Sequence, residues 1–395
     1  MTDLRVAEIF EEPWALVHVI TKLELGGAQL ATLKEVTRSQ LPWKKRYLVY
    51  GGGGILDAEA EALPDVQCLE VSNLIRELSP RKDIAALTEL VRIFRDIGKD
   101  GKFLVHTHSS KAGILGRVAA RLAGADRVIH SFHGFGHSHH PNAIVRKVLW
   151  GAEKVASYCT DGFTGDSSAN LVQGKEQCLI GKTPHGVVYC GVDTEEFRFV
   201  DPDDSHLQTL REDLSIARES HIILNISCLK PQKDPLTYVE VAERVLKEHP
   251  NTVFLLAGDG ELRGELESTI EKMGIQSSVR LLGWRRDIPS LLALSDIMVL
   301  TSLWEGLPQS FGQAMATGTP IVATRVDGAP EAIVEGVNGL LYDTKDVDGL
   351  SSGISRLLGD EKTRREMGER ARESAPRFSE ETMLDTLDSF YTSIL

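Results

Sequence analysis

The sequence predicts an α/β protein made of two doubly wound, Rossmann-like domains, and three observations carry that expectation. Short apolar runs of strand length alternate with amphipathic stretches through both halves, the pattern of parallel sheets covered by helices on both faces. The alternation loosens once, around Asp193–Ser215, where Asp201-Pro202-Asp203-Asp204 is a clear breaker. Charge is also uneven. Residues 1–195 hold 23 Lys+Arg against 23 Asp+Glu, whereas the remainder holds 21 against 34 and carries the whole net charge of −13. At 395 residues the chain exceeds one ordinary core. The expected division is 1–195, 196–378 and a terminal helix over 379–395.

The first half opens with the apolar run Leu16–Ile20, then a Gly26-Gly27 turn and a helical run from Ala28. Further strands are expected at Arg46–Tyr50, Val66–Val71, Phe103–His106 and Arg127–Phe132, with Ser157–Thr160 and Gly186–Tyr189 completing this half. Amphipathic helices fall at Asp83–Ile97 and Ala112–Ala123. In the second half, strands are expected at Ile222–Ser227, Thr252–Ala257, Val279–Leu282, Ile297–Leu300, Ile321–Ala323 and Gly339–Tyr342. Helices at Pro235–Glu248, Glu261–Met273 and Ser310–Ala316 alternate with them. The tail after Pro376 is amphipathic through Met383, Leu384, Leu387, Phe390 and Tyr391.

Composition narrows the function. Hydrophobic residues make up 42% and charged residues 26%, as in soluble globular proteins. No apolar run approaches the roughly 20 residues that cross a bilayer. The acidic N-terminus lacks a signal peptide's apolar core, so a cytoplasmic location is expected. Five scattered cysteines without CxxC spacing argue against a disulfide framework or a zinc site. An acidic chain with no basic stripe is not expected to bind nucleic acid. The neutral first half is the side better suited to approach an anionic surface, so the expected location extends to the inner face of the membrane.

The segment from Ser295 to Thr324 is the most informative. Its strand ends at Thr301-Ser302 in a loop carrying Glu305, Gly306, Leu307 and Pro308, and a helix follows from Ser310. Ligands of open α/β sheets bind outside the carboxyl ends of strands, where a helix start offers N–H groups to an anion. A carboxylate beside such a start suits a ligand that combines phosphate with hydroxyls, such as a nucleotide sugar. The bland alternative is an ordinary βαβ unit with one exposed Glu.

This segment resembles the donor-site motif of the family 4 glycosyltransferases, retaining enzymes of the GT-B fold. That fold places two doubly wound domains across a cleft, with a C-terminal helix crossing back to the first. In the family's Glu-x7-Glu pattern, Glu305 matches the first acid, near the transferred sugar, while the second position holds Gln313. The resemblance makes Gly306, Leu307, Pro308, Gln309, Ser310 and Gln313 donor-binding residues. The loop Cys228–Pro235 resembles the family's RLxxxKG loop, in which an Arg and a Lys grip the diphosphate. Lys233 matches the Lys, but Cys228 stands at the Arg position, with Lys230 nearby. A surface-solvated lysine pair is the alternative reading. Gly258-Asp259-Gly260 is similar to the family's GxGxL turn. Trp284 lies in a segment that runs along the nucleobase in the family, and as a residue reads equally as core or lid.

In the first half, Leu25-Gly26-Gly27-Ala-Gln29 resembles the family's GGAE/Q loop, and its glycines allow close backbone approach. His106-Thr-His108-Ser109-Ser110-Lys111 recurs in polysaccharide and capsule members, where His108, Ser109, Ser110 and Lys111 are read as acceptor-binding. His130-Ser-Phe-His133-Gly resembles the HTxHG/D motif, in which His133 contacts the donor sugar. Nine of the twelve histidines lie in this half, so a metal site is a rival reading. Against it, neither Cys nor paired carboxylates sit at ligand spacing nearby, and GT-B enzymes generally hold the diphosphate without metal. His137, His139 and His140 read as an exposed, mobile loop.

The resemblance implies a retaining hexosyltransferase. It would move sugar from a nucleoside diphosphate donor to a hydroxyl of a glycan or glycolipid, without a cofactor. Lys233, Glu305 and His133 are the expected catalytic residues, the last two facing each other across the cleft. The alternatives are a sugar-nucleotide epimerase of the same fold and a non-catalytic sugar-nucleotide binding subunit, the latter prompted by Cys228 and Gln313.

Overall fold

The structure, a computed structural model, describes residues 2–201 and 203–395; Pro202 of the expected breaker and the side chains of residues 1–5 and His137 lie outside the description. The chain divides into two compact units, residues 1–190 with 381–395, and residues 191–380.

The first unit contains seven strands: β1 Trp14–Lys22, β2 Lys45–Gly51, β3 Val66–Glu70, β4 Lys102–His108, β5 Arg127–Phe132, β6 Gly162–Gly165 and β7 His185–Val187. All pair in parallel, in the order β3-β2-β1-β4-β5-β6-β7. The order reverses between β1 and β4, creating a switch point where loops leave the sheet in opposite directions. β1 and β4 are buried along nearly their whole length, as central parallel strands require. The Glu380–Ile394 helix ends the chain, and its residues Met383, Leu384, Leu387, Tyr391 and Ile394 pack with Trp14, Leu16 and Trp43 of this unit. Phe390 explains two small residues beneath it: a Cβ at Gly162 or Gly186 would lie within 3.4 Å of its ring.

The second unit holds β8 His221–Ile226, β9 Thr252–Ala257, β10 Val279–Gly283, β11 Ile297–Leu300, β12 Ile321–Thr324 and β13 Gly339–Tyr342. They too are parallel, in the order β10-β9-β8-β11-β12-β13, with the switch point between β8 and β11. Both units are therefore doubly wound α/β folds, as the alternation predicts.

Three local expectations need correction. Ser157–Thr160 is no strand: it ends the Ala143–Ser157 helix, where Ser157 Oγ donates to Lys154 O and Thr160 Oγ1 to Ala156 O. The strand starts at Gly162, with Phe163 fully buried. The last strand of this unit begins one residue earlier than expected and stops at Val187. The stretch Asp193–Ser215 is not wholly irregular, because Ser205–Asp213 is a helix whose first turn is capped by Asp204 accepting from the His206 N–H. Its polar sequence had hidden a two-residue apolar face, Leu207 and Leu210, both buried.

Candidate functional site

The switch point of the first unit is built from histidines. His18 lies on β1, His106 and His108 on β4, and His130 on β5, with His133 just beyond β5. Strand alternation puts His106 and His108 on one face, toward His18. His18, His106 and His108 are fully buried. Polar residues in central strands must find partners inside, and here they find one another.

The result is one continuous hydrogen-bonded chain. His133 Nδ1 meets Asp166 Oδ2 at 2.9 Å, and His133 Nε2 meets His108 Nδ1 at 3.0 Å. His108 Nε2 lies 2.8 Å from His18 Nδ1, and His18 Nε2 lies 3.3 Å from the Tyr391 hydroxyl. That hydroxyl is 2.6 Å from His106 Nδ1, whose Nε2 is 2.7 Å from Ser131 Oγ, itself 2.5 Å from Thr164 Oγ1. A neutral imidazole has one donor and one acceptor nitrogen, so every link must point the same way. With His133 doubly protonated, donation runs from His133 toward Thr164. With His133 neutral and its Nδ1–H on Asp166, Nε2 must accept and every link beyond it reverses. The protonation state of His133 is thus tied to the terminal helix through Tyr391.

Charge in this cluster follows burial. Burial lowers His18 to about 3 and holds His106, His108 and His130 well below the usual imidazole range. Burial alone would depress His133 as well, but the charge and hydrogen bond of Asp166 reverse this and raise it. Glu35, on the Gly27–Arg38 helix, is pushed up to about 8, mainly by burial. Among the described residues its Oε2 has no hydrogen-bond partner, and it lies 3.7 Å from His18 Nδ1 and 3.6 Å from His108 Nε2.

No cysteine or paired carboxylate sits at ligand spacing beside the histidines in sequence, but folding brings both to them. Glu35 joins His18, His106 and His108, and Asp166 and Cys190 join His133, each group with donor atoms within 4.8 Å of one another. These partners come from distant elements, so spacing along the chain could not reveal them. The nitrogens are nonetheless engaged already: His18 and His108 share a hydrogen bond, and both nitrogens of His106 are taken. The group is arranged as a hydrogen-bonded chain.

The expected acceptor residues separate. His108 is fully buried with both nitrogens engaged, one of them by His133. Lys111 is tied to Asp83 Oδ1 at 2.7 Å and to the Glu77 carbonyl. Ser109 pairs with Thr21 Oγ1 at 2.8 Å across the switch point, and Ser110 is exposed. Gly26 and Gly27 form the start of the helix after β1, with Gly26 as its cap in extended backbone.

The second unit's switch point joins the loops after β8 and β11. Lys233, from the first loop, pairs with Glu305 Oε1 from the second. Ser302 Oγ donates to the same carboxylate oxygen at 2.5 Å, and the Glu305 N–H donates to Asp327 Oδ2 at 2.6 Å. Glu305 is 6% exposed and aimed by three neighbours. The loops are braced by Thr301 Oγ1 donating to the carbonyls of Lys233 and Asp234 and by Gln232 Nε2 donating to Trp304 O. Ser109, Asp234 and Asp327, one next to or bonded to each of His108, Lys233 and Glu305, hold positive φ without being glycine. Such strain concentrates where structure is over-determined by a site.

The remaining donor residues fall as follows. Lys230 caps the turn that carries Lys233. Gly258 has φ +145°, and a Cβ there would lie 2.0 Å from Ser227 O; one at Gly260 would lie 2.5 Å from Leu229 O. Both glycines are thus demanded by the neighbouring loop's backbone. Trp284 is 42% exposed, which rules out the core reading. Gly306, Leu307, Pro308 and Ser310 are buried, and Gln309 Nε2 donates to Gly191 O at 2.9 Å. The Gln309–Thr317 helix has no side-chain cap at Pro308, and Gln313 is half-buried at its middle.

Comparisons with known proteins agree with this arrangement. The family model "Glycosyltransferase Family 4" matches residues 46–196, and "Glycosyl transferases group 1" matches residues 208–374. The chain is 33% identical over 302 residues to an Escherichia coli UDP-Gal:alpha-D-GlcNAc-diphosphoundecaprenol alpha-1,3-galactosyltransferase, covering 75% of this chain and 76% of that one. It is 30% identical to the Bacillus anthracis N-acetyl-alpha-D-glucosaminyl L-malate synthase, covering 58% of this chain and 61% of that one. In fold it matches Anabaena HepE, crystallised with UDP and glucose, with a TM-score of 0.82 and 20% identity over 96% of this chain and 99% of that chain. Sequence, sheet order and loop chemistry agree: the chain belongs to the family 4 glycosyltransferases, with the GT-B fold, and is itself a glycosyltransferase.

Proposed function

We propose that the chain is a retaining hexosyltransferase that moves a sugar from a UDP-linked donor to a hydroxyl of a glycan on a lipid diphosphate carrier. The observation that carries this reading is the meeting of Lys233 and Glu305 at the β8–β11 switch point. There an ammonium suited to a diphosphate and a carboxylate suited to sugar hydroxyls are fixed side by side. UDP is the preferred donor nucleotide because the E. coli relative is named for UDP-Gal and HepE was crystallised with UDP. The lipid diphosphate acceptor follows the same relative's name.

In this reading Lys233 and the uncapped N–H groups opening the Gln309–Thr317 helix stabilise the departing diphosphate. Glu305 orients the sugar, and Gln313 replaces an acid at the ribose. His133, held by Asp166, is the residue of the first unit suited to a sugar hydroxyl. The acceptor hydroxyl attacks on the face that the phosphate leaves, and a phosphate oxygen takes its proton. Diphosphate charge is met by the protein alone, without a cofactor. The site of action is the cytoplasmic face of a membrane; among the described residues no helix is long and apolar enough to cross one. The epimerase reading is not favoured, because the related chains are named for transfer to an acceptor.

Calorimetry with UDP and GDP, then transfer from UDP-hexoses to a synthetic GlcNAc-diphosphate lipid, tests the reading. NMR of the product should show the donor's α configuration retained. Absence of nucleotide binding, or a free epimerised sugar nucleotide as sole product, would overturn it.

A further inference from the structure

The Ala143–Ser157 helix of the first unit carries an apolar face that no described residue of its own unit covers. Ile144, Val148 and Val155 are 73%, 62% and 61% exposed, and Tyr158, just past the helix end, is 78% exposed. Their spacing of four, seven and three residues places them with Gly151 on one stripe, about 20 Å long at 1.5 Å per residue. Scattered exposed apolar residues are ordinary; four aligned on one helix are not.

Lys147 and Lys154 flank this stripe on one side, whereas Arg146 lies on the opposite face and donates to the His140 and Pro141 carbonyls. The helix's single acid, Glu153, is buried against Arg117 and contributes no outward negative charge. A chain of net charge −13 thus presents a locally cationic, apolar-striped helix. The Lys154 ammonium lies 5.1 Å from the Tyr158 ring centroid, so the basic and aromatic groups form one surface.

The geometry points to this stripe as a docking surface for an anionic lipid bilayer. Apolar side chains would enter the headgroup boundary while Lys147 and Lys154 meet lipid phosphates. Charge favours this occupant over a protein. Lysines are depleted at protein interfaces, and a stripe one residue wide is small beside the ~800 Å² that each partner contributes to a stable complex. Position supports it too. The helix follows the His133 segment, so its amino end stands at the carboxyl edge of the sheet, the edge at which His133 lies. The inference deepens the lipid-linked acceptor reading above, yet its test does not need turnover.

The test is co-sedimentation of the full chain with phosphatidylethanolamine vesicles containing phosphatidylglycerol, compared with pure phosphatidylcholine vesicles. Wild-type protein should bind the anionic vesicles at least about tenfold better, since each basic group near such a surface contributes about fivefold. The double substitution Val148→Glu and Val155→Glu should reduce that binding more than tenfold. Lys147→Glu should reduce it severalfold and flatten its salt dependence. Transfer to a short-chain, detergent-free acceptor should be unchanged in all three proteins, as should their melting temperatures. Equal binding to both vesicle types, or binding indifferent to the double substitution, would overturn the inference. So would a wild-type dimer that Val148→Glu converts to monomer, because the stripe would then be a contact between copies. Vesicle binding without sugar transfer would leave this inference standing and remove the functional reading.

Discussion

Acidification should destabilise the first unit, and the size of the effect follows from its buried histidines. His18, His106, His108 and His130 have folded pKa values well below the usual 6.5. The stability each contributes as a neutral group is therefore complete above about pH 6.5 and is lost as the unfolded chain takes up protons below it. Between pH 7 and 5.5 one such histidine loses a little over about 1 kcal/mol, so four lose about 5 kcal/mol. Two groups oppose this. Glu35, raised to about 8, contributes most below its unfolded value near 4.5 and loses that contribution as pH rises through 8. The same acidification therefore returns about 2 kcal/mol through Glu35. His133, also raised, works in the same direction as Glu35. The expected balance is a net loss of about 2–3 kcal/mol, a large part of a domain's stability. Denaturant titrations at pH 7 and 5.5, with the two units' transitions resolved, give the measurement. Stability equal or greater at pH 5.5 would mean the histidines are not held neutral, and the chain through Tyr391 would be wrong.

Four further outcomes are expected. Lys233→Ala leaves the nearly buried Glu305 without its cation, which should cost about 2–3 kcal/mol and lower the second unit's melting temperature by roughly 5–10 °C; a shift under about 1 °C would show the pair to be idle. Glu305→Gln should release Lys233, so bare UDP should bind as tightly or tighter while turnover collapses, and equal losses in both would assign Glu305 to packing. Tyr391→Phe removes the hydroxyl between His18 and His106 and should move the pH–rate profile without changing KM for the donor; an unmoved profile would leave the chain a purely structural network. Activity should persist in excess EDTA, and its loss with restoration by one divalent ion would turn the Glu35 or Asp166 cluster into a metal site.

The two switch points differ in how far they could be read from sequence. In the second unit, strands Thr252–Ala257, Ile297–Leu300 and Gly339–Tyr342 and the Pro235–Glu248 helix stand where alternation and turn residues place them. Their chemistry sits in short loops directly after strands, so Lys233 and Glu305 are each visible locally. Their meeting is not, because it depends on β8 and β11 becoming neighbours although two strands, β9 and β10, separate them in sequence. The Ser205–Asp213 helix was hidden for a different reason: its composition is that of a linker and only two residues are buried. The Ser157–Thr160 error has a similar cause, since four residues cannot distinguish a helix end from a short strand.

In the first unit the motif histidines were legible and their partners were not. His133 and His108 stand out within their motifs, but Asp166, Glu35 and Tyr391 lie on a loop after β6, a helix after β1 and the chain's last helix. Tyr391 hydrogen-bonds to His106 across 285 residues. One signal was available. His18 interrupts the apolar run Leu16–Ile20, and a polar residue at the centre of a buried parallel strand requires a buried partner. Three such histidines on adjacent strands β1 and β4 are satisfied by one another, by Ser131 and His133, and by the terminal helix. The amphipathic tail therefore does more than cover the Trp14–Leu16 core. It supplies the hydroxyl that links His18 to His106, so truncating the chain before Tyr391 would break the same network that fixes His133. That gives the terminal helix a chemical reason to pack on the first unit although its sequence follows the second.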